Sequence, residues 1–212
     1  MNIHDVYRFF SRYFRQKRMR QFWMRFGLTP QTRVLDVGGF EFNWLLLPTM
    51  PRLTIINLGL PHIREPSVTW LVADGRSLPF KDRAFDVAYS NSVIEHLGNF
   101  ENQRRFADEC RPVGVRYYVQ TPNKWFPVEP HMLAPFIHWL PRVLQRRLLR
   151  HFTLWGLLTR PDPQRCDALL QEIHLLDEKG LRELFPDAEI WYERILGLTK
   201  SLMAAMPDAA PF

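Results

Sequence analysis

The sequence predicts an α/β fold whose mostly parallel sheet is covered on both faces. Three observations predict it. Apolar, strand-like runs recur between residues 33 and 122, helical or short crossover segments separate them, and each run ends at its carboxyl side on a polar residue or a glycine.

The N-terminal stretch comes first. Val6, Phe9, Phe10, Tyr13 and Phe14 share one helical face, and Met19, Phe22, Trp23 and Phe26 share another that is out of phase with it. Two short helices joined near Arg15 to Arg18 are expected, either packed on the domain or serving as a basic aromatic lid or membrane-surface contact. "GLTP" ends them, and "RVLDV" reads as a buried first strand. "FNWLLLP" then forms a short helix closed by Pro48, and "LTIINL" a second strand ending near Asn57. "VTWLVA" is the third strand, running into Asp74 and Gly75, and "FDVAYSN" is the fourth. The helix "NFENQRRFADECR" is ended by "PVG", and "VRYYVQTP" is the fifth strand.

Residues 123–172 read differently. Tryptophan, proline and arginine crowd a segment too long for a connection and too apolar for a linker, which predicts a helical, aromatic cap insertion. Pro141 suits a helix start there, with Leu144, Leu148, Phe152 and Trp155 as an apolar stripe and Arg142, Arg146 and Arg150 as a basic one. Asp177 caps a further helix in "LLDEKGLRELFP", and two last strands meet around Gly197.

Composition narrows the function. With 212 residues and 46% hydrophobic content the chain fits a single domain with a sizeable core, not a disordered or fibrous protein. No apolar run approaches a membrane span and the N-terminus lacks the h-region of a secretory signal, so a cytoplasmic protein is expected. Cys110 and Cys166 form no metal-ligand or CxxC pattern, which argues for reduced, structural thiols and no metal site. The net charge of +6 resides in the first 26 residues, where seven basic side chains face only Asp5.

In open sheets of this kind ligands bind beyond the carboxyl ends of the strands. Those ends carry "DVGG", Asn57, "DG" at 74–75, "SNSVIEH" and "TPN". With "VADGRSLPFKDRAFDVAYSNSVIEHL" between the third and fourth ends, the chain resembles the class I S-adenosylmethionine-dependent methyltransferases, in particular the small bacterial methyltransferase-11-like group, over residues 33–122. The resemblance implies a three-layer Rossmann-like sandwich, a seven-stranded sheet with an antiparallel last strand, and S-adenosylmethionine as cofactor. By the same resemblance Asp36, Gly38 and Gly39 line its methionine end, Asn57 stands where an acidic residue usually grips the ribose, Asp74 accepts from the adenine amino group with Gly75 and Arg76 beside the ring, and Asn91 lies near the sulfonium.

Phe40 and Phe42 stand where the family keeps glycines, and they are expected to begin the following helix and point into the core. A hydroxyl acceptor needs a base, and histidine suits the task. His131, with Glu129 to orient it, and His96 are the candidates; each has a structural alternative, packing or capping. His138 is expected to pack the cap. Glu95 has no role derivable from the sequence beyond a surface salt bridge. The acceptor is expected to be a small molecule, a glycan or a lipid-linked precursor, with the basic N-terminal helices and arginine stripe suggesting an anionic or membrane-proximal one. Two other readings stay open: a binding or accessory protein that has lost cofactor affinity, and nucleic-acid methylation, against which "SNSV" lacks the Asn/Asp-Pro-Pro-aromatic stretch of base amino methylation.

Overall fold

The computed structural model describes residues 3–60 and 66–207, with side chains described from Phe14 onward. The strands are β1 (Arg33–Val37), β2 (Arg52–Asn57), β3 (Thr69–Val72), β4 (Phe85–Asn91), β5 (Gly114–Pro122), β6 (Val128–Glu129), β7 (Ala134–Pro135), β8 (Glu189–Ile195) and β9 (Leu198–Met206). The helices are α1 (Ile3–Phe26), α2 (Phe100–Val113), α3 (Arg142–Phe152), α4 (Leu154–Thr159), α5 (Pro163–Glu172) and α6 (Glu178–Leu184). Seven strands form one sheet in the order β3-β2-β1-β4-β5-β9-β8, mostly parallel with the last strand antiparallel, while β6 and β7 form a separate hairpin. Among the described residues no helix is long and apolar enough to cross a membrane. The chain divides into two compact units: unit 1 is Met1–Asn91, Asp108–Val119 and Ala205–Phe212, and unit 2 is Ser92–Ala107 and Gln120–Ala204.

In unit 1, β1 is enclosed by parallel partners on both sides, with Val37 opposite Ile56 of β2 and Asp36 opposite Tyr89 of β4. Its apolar residues are fully buried, as is expected of a parallel strand. α1 is one continuous helix, not two. No glycine or proline lies between Ile3 and Phe26, and the expected joint is made of Arg, Gln and Lys, all good helix formers, so the change of apolar phase does not break it. Gly27, at φ +56, ends it. Of the expected second face, Met19, Phe22 and Phe26 are buried, while Trp23 is only partly buried. Phe22 lies 4.9 Å from both Tyr89 and Tyr118 and 6.1 Å from Trp44, centroid to centroid. The earlier face through Tyr13 falls outside the described side chains.

Among the described residues, the β3 edge has little cover. A six-residue 3-10 turn, Glu41–Leu46, joins β1 to β2, and no helix is described between β3 and β4. Leu58, Leu71 and Val72 are consequently exposed.

Unit 2 carries residues 123–172, the segment expected to form a helical cap. α3 buries Gln145 and Leu149 against Met132, Ile137, Cys166 and Leu170, with Leu148 and Trp155 partly buried beside them. The expected stripe is thus off by one position: Leu144 and Phe152 are exposed. The period does not carry through because Thr153 leaves the helix and caps α4, its hydroxyl accepting from Gly156 N–H at 2.8 Å. The basic stripe is partly engaged, Arg142 donating to the Leu170 carbonyl at the end of α5 and Arg146 pairing with Asp167. Asp177 caps α6 through Gly180 N–H, and Leu196 and Gly197, both at positive φ, form the two-residue turn between β8 and β9.

Candidate functional site

In unit 1 the expected cofactor residues gather at the carboxyl ends of β1 to β4. Register explains the grouping: Val37 pairs with Ile56 and Asn57 with Val72, so Gly38 lies level with Asn57, and Asp74 just beyond it. Gly38 takes φ +79, a conformation glycine adopts without strain, and its N–H donates to the Ile56 carbonyl at 2.8 Å. At Gly39 a Cβ would fall 2.0 Å from Asp36 Oδ2, so the close approach admits no side chain.

Asp36 is fully buried; Oδ2 accepts from Trp44 Nε1 at 2.7 Å, and Oδ1 has no hydrogen-bond partner. Burial pushes its carboxyl up to about 7 against the opposing pull of the Trp44 hydrogen bond.

Asn57 braces the glycine turn. Its Nδ2 donates to the Gly39 carbonyl at 3.3 Å and, more weakly, to that of Gly38 at 3.5 Å, while its Oδ1 accepts from Leu58 N–H at 2.8 Å. A carboxylate could not make the first two bonds, which gives a physical reason for the amide where an acid was expected. Asn57→Asp should therefore destabilise the protein by about 1–3 kcal/mol at neutral pH, because the carboxylate would confront two carbonyl oxygens. An unchanged urea midpoint would show that the brace carries no stability.

Asp74 is held by Arg76, whose backbone N–H, Nε and Nη2 all donate to it, the last at 2.6 Å. These hydrogen bonds keep its carboxyl below its usual range, against a weaker upward push from burial. Gly75 lies in the turn between them. Asn91 Oδ1 accepts from Arg18 of α1 at 2.6 Å.

Phe40 and Phe42 do not point into the core: both are more than 40% exposed. The 3-10 turn buries Asn43 and Trp44, which leaves the flanking rings outward. They stack at 6.2 Å, Phe40 lies near Trp70, and the Arg15 guanidinium sits 4.5 Å over Phe42.

Unit 2 brings the two candidate histidines together. Their rings lie edge to face at 4.7 Å. His131 occupies the four-residue loop of the β6–β7 hairpin, where Pro130 costs no hydrogen bond and Leu133 N–H closes onto the Glu129 carbonyl. Buried Glu129 holds His131 Nδ1 at 2.6 Å through Oε1 and accepts from Met132 N–H through Oε2. Burial pulls the His131 imidazole down, but the hydrogen bond and charge of Glu129, with Glu95 and Glu172, outweigh it and raise it.

His96 lies in a 3-10 turn, Ile94–Leu97, and its Nδ1 meets Glu172 at 2.7 Å. Glu172 reaches it because the chain after α5 is fastened to this turn: His174 N–H donates to the Glu95 carbonyl, and Gly98 N–H to that of Glu172. Gln103 adds bonds to the Ile94 and His174 carbonyls. Glu95, expected at the surface, is fully buried; Oε2 accepts from Thr121, and Oε1 has no hydrogen-bond partner and lies 4.0 Å from His131 Nε2. Burial raises the Glu95 carboxyl despite the opposing charges of His131 and His96. His138 meets the Lys124 carbonyl through Nε2, as a packing histidine would.

Sequence reasoning missed Trp44, Arg18 and Glu172. Their partners lie 8, 73 and 76 residues away, and no local pattern signals such contacts.

Residues 55–114 match the family described as a methyltransferase domain. A search of curated proteins gives no match. Among solved structures, the chain is similar to magnesium protoporphyrin IX methyltransferase from Synechocystis PCC 6803 with bound SAH, at 14% identity and TM-score 0.52, covering 92% of this chain and 84% of that one. It is also similar to the YcgJ protein from Bacillus subtilis, at 16% identity and TM-score 0.51, covering 82% and 68%. A third likeness is to phosphoethanolamine N-methyltransferase 2 from Haemonchus contortus in complex with S-adenosyl-L-methionine, at 12% and 0.53, covering 83% of this chain and 38% of that one. At these identities the likenesses establish the fold.

Proposed function

The chain carries a methyltransferase-domain segment on the class I S-adenosylmethionine-dependent methyltransferase fold, and from that premise we propose that it transfers a methyl group from S-adenosylmethionine to an oxygen of a small-molecule, glycan or lipid-linked acceptor. The observation that carries the reading is the Gly38–Gly39 turn at the end of β1, with Gly38 at positive φ and Gly39 close against the Asp36 carboxyl, braced by Asn57 and followed at the β3 end by Asp74.

These residues fit such a cofactor. The backbone of Gly38 and Gly39 would receive its methionine end, with the fully buried Asp36 carboxyl behind them. Asn57 Oδ1 keeps a lone pair for a ribose hydroxyl. The Asp74 side chain, 36% exposed, can accept from the adenine amino group when the exposed Arg76 exchanges away. Bound there, the cofactor supplies an activated methyl group on a sulfonium.

The protein's own tasks are alignment, exclusion of water and removal of the acceptor proton. Alignment alone can contribute roughly 7–11 kcal/mol. For the proton, His131 is the base: Glu129 fixes its Nδ1 and leaves Nε2 to accept. His96, paired with Glu172, is the alternative. A cleft of about 330 Å³ in unit 2, lined by Arg146, Arg147, Arg150, His151, Pro163 and Cys166, offers cationic side chains to an anionic group. Contact of the basic α1 with an anionic surface is part of the same reading.

Calorimetric titration with S-adenosylmethionine and its demethylated product tests this directly. Asp74→Ala should weaken cofactor binding by roughly tenfold, as the loss of a hydrogen bond to a charged group implies. His131→Ala should leave binding intact and lower kcat on the true acceptor by about 10²–10⁴. Full activity of that variant would refute the base.

One set of observations favours a second reading, a binding or accessory protein without turnover. Asn57, Asp74 and Asn91 all spend hydrogen bonds on the protein itself. No heat at high micromolar S-adenosylmethionine would select it.

A further inference from the structure

Within unit 2, three potential donors converge for which the base reading has incomplete use. The ligand atoms of Glu95, His96 and His131 all lie within 4.8 Å of one another. Glu95 is 0% exposed, and its Oε1 faces His131 Nε2 at 4.0 Å without any hydrogen-bond partner. A buried carboxylate oxygen left unsatisfied is costly, and a second group, His96, is drawn to the same place, its ring edge to face with that of His131.

Each imidazole is also backed from behind. Glu129 takes His131 Nδ1 at 2.6 Å and Glu172 takes His96 Nδ1 at 2.7 Å. A carboxylate on Nδ1 fixes ring orientation and raises the basicity of Nε2, the arrangement that metal-bound histidines use. Thr121 orients Glu95 by donating to Oε2, so that Oε1 is the oxygen left to coordinate.

We propose that Glu95 Oε1, His96 Nε2 and His131 Nε2 form a binding site for a divalent first-row transition ion such as zinc. Two neutral imidazoles and one carboxylate suit zinc, cobalt(II), iron(II) or manganese(II) better than magnesium, whose ligands are mostly oxygens. Bonds near 2.0–2.1 Å require the donors to draw in by roughly 1 Å, a movement within reach of two side chains on a hairpin loop and a 3-10 turn. Three protein ligands leave at least one position open, as in catalytic sites.

The ion's role rests on the proposed methyl transfer. With the ion bound, His131 Nε2 would be a ligand and not the base proposed for the metal-free protein, and an acceptor hydroxyl would be acidified by coordination at the open position instead. The proton then leaves to solvent, and no redox change is involved.

The test uses the full chain, stripped with chelator and titrated with cobalt chloride, then zinc chloride, without S-adenosylmethionine. Visible absorption and calorimetry should both report one ion per chain. Glu95→Gln and His96→Gln should each weaken binding on the order of 100-fold, and Glu129→Gln about 10–100-fold, with unchanged circular dichroism. If Glu95→Gln fails to fold, His96→Gln decides. No stoichiometric uptake by the unsubstituted protein, uptake unaltered by these substitutions, or equal affinity for magnesium overturns the proposal. Because uptake is read without cofactor, failure of this site and failure of the methyl-transfer reading are separate results.

Discussion

Replacing Phe22 by alanine is expected to remove about 3–5 kcal/mol of stability, enough to unfold many domains of this size. Phe22 is 1% exposed and packs at once against Phe26, Tyr89, Tyr118 and Trp44. Tyr89 and Tyr118 stack on each other at 5.5 Å, and Tyr89 also lies 4.9 Å from Trp44, so neighbours already in contact cannot easily collapse into the void. The loss should appear as a fall in the urea midpoint with little change in slope. A loss below about 1 kcal/mol would mean that α1 is dispensable to the core. Phe22→Leu, which keeps most of the volume, should recover much of the difference.

The second large effect is one of pH. Asp36 ionises near its ordinary value in the unfolded chain but only at about 7 in the folded one. Between roughly pH 4 and pH 7 the folded state therefore holds more protons than the unfolded state, and stability falls as pH rises through that window. The shift corresponds to roughly 4 kcal/mol lost by pH 8 relative to pH 4. Asp36→Asn keeps an acceptor for Trp44 Nε1 and carries no charge. It should flatten this contribution and leave the variant more stable than the parent above pH 7. Urea denaturation at pH 5 and pH 8 measures it, and an identical difference between the two pH values in both proteins would sink the assignment. Trp44→Phe should act in the opposite sense, removing the donor that supports the ionised form.

What was legible in the sequence was local. Buried parallel strands announce themselves as short apolar runs, and β1, β4 and the β8–β9 turn stand where their residues indicate, as does the Asp177 cap. The continuity of α1 was misread because a change of apolar phase was taken for a break, although Arg, Gln and Lys at that point all favour helix. The buried face of α3 was misread at Leu144 and Phe152, which are exposed, while Leu148 and Trp155 do pack beside Leu149. The glycine turn was legible as a turn, but the side chains around it were not. Trp44 on Asp36, Arg18 on Asn91 and Glu172 on His96 depend on which segments the fold brings together. The burial of Glu95 is of the same kind: "IEH" reads equally well as a surface turn until the segment after α5 closes over it.

The exposed β3 edge bears on how a ligand would be held. β1 is enclosed by strands on either side, whereas β3 is joined only to β2 and shows Leu71 and Val72 to solvent. The free energy of local opening should therefore be high at the Gly38 turn and low at the Asp74 turn. A molecule spanning both would rest on one stiff support and one soft one. Its affinity would carry an ordering cost concentrated at β3, and substitutions that stiffen this strand would tighten binding without touching the ligand.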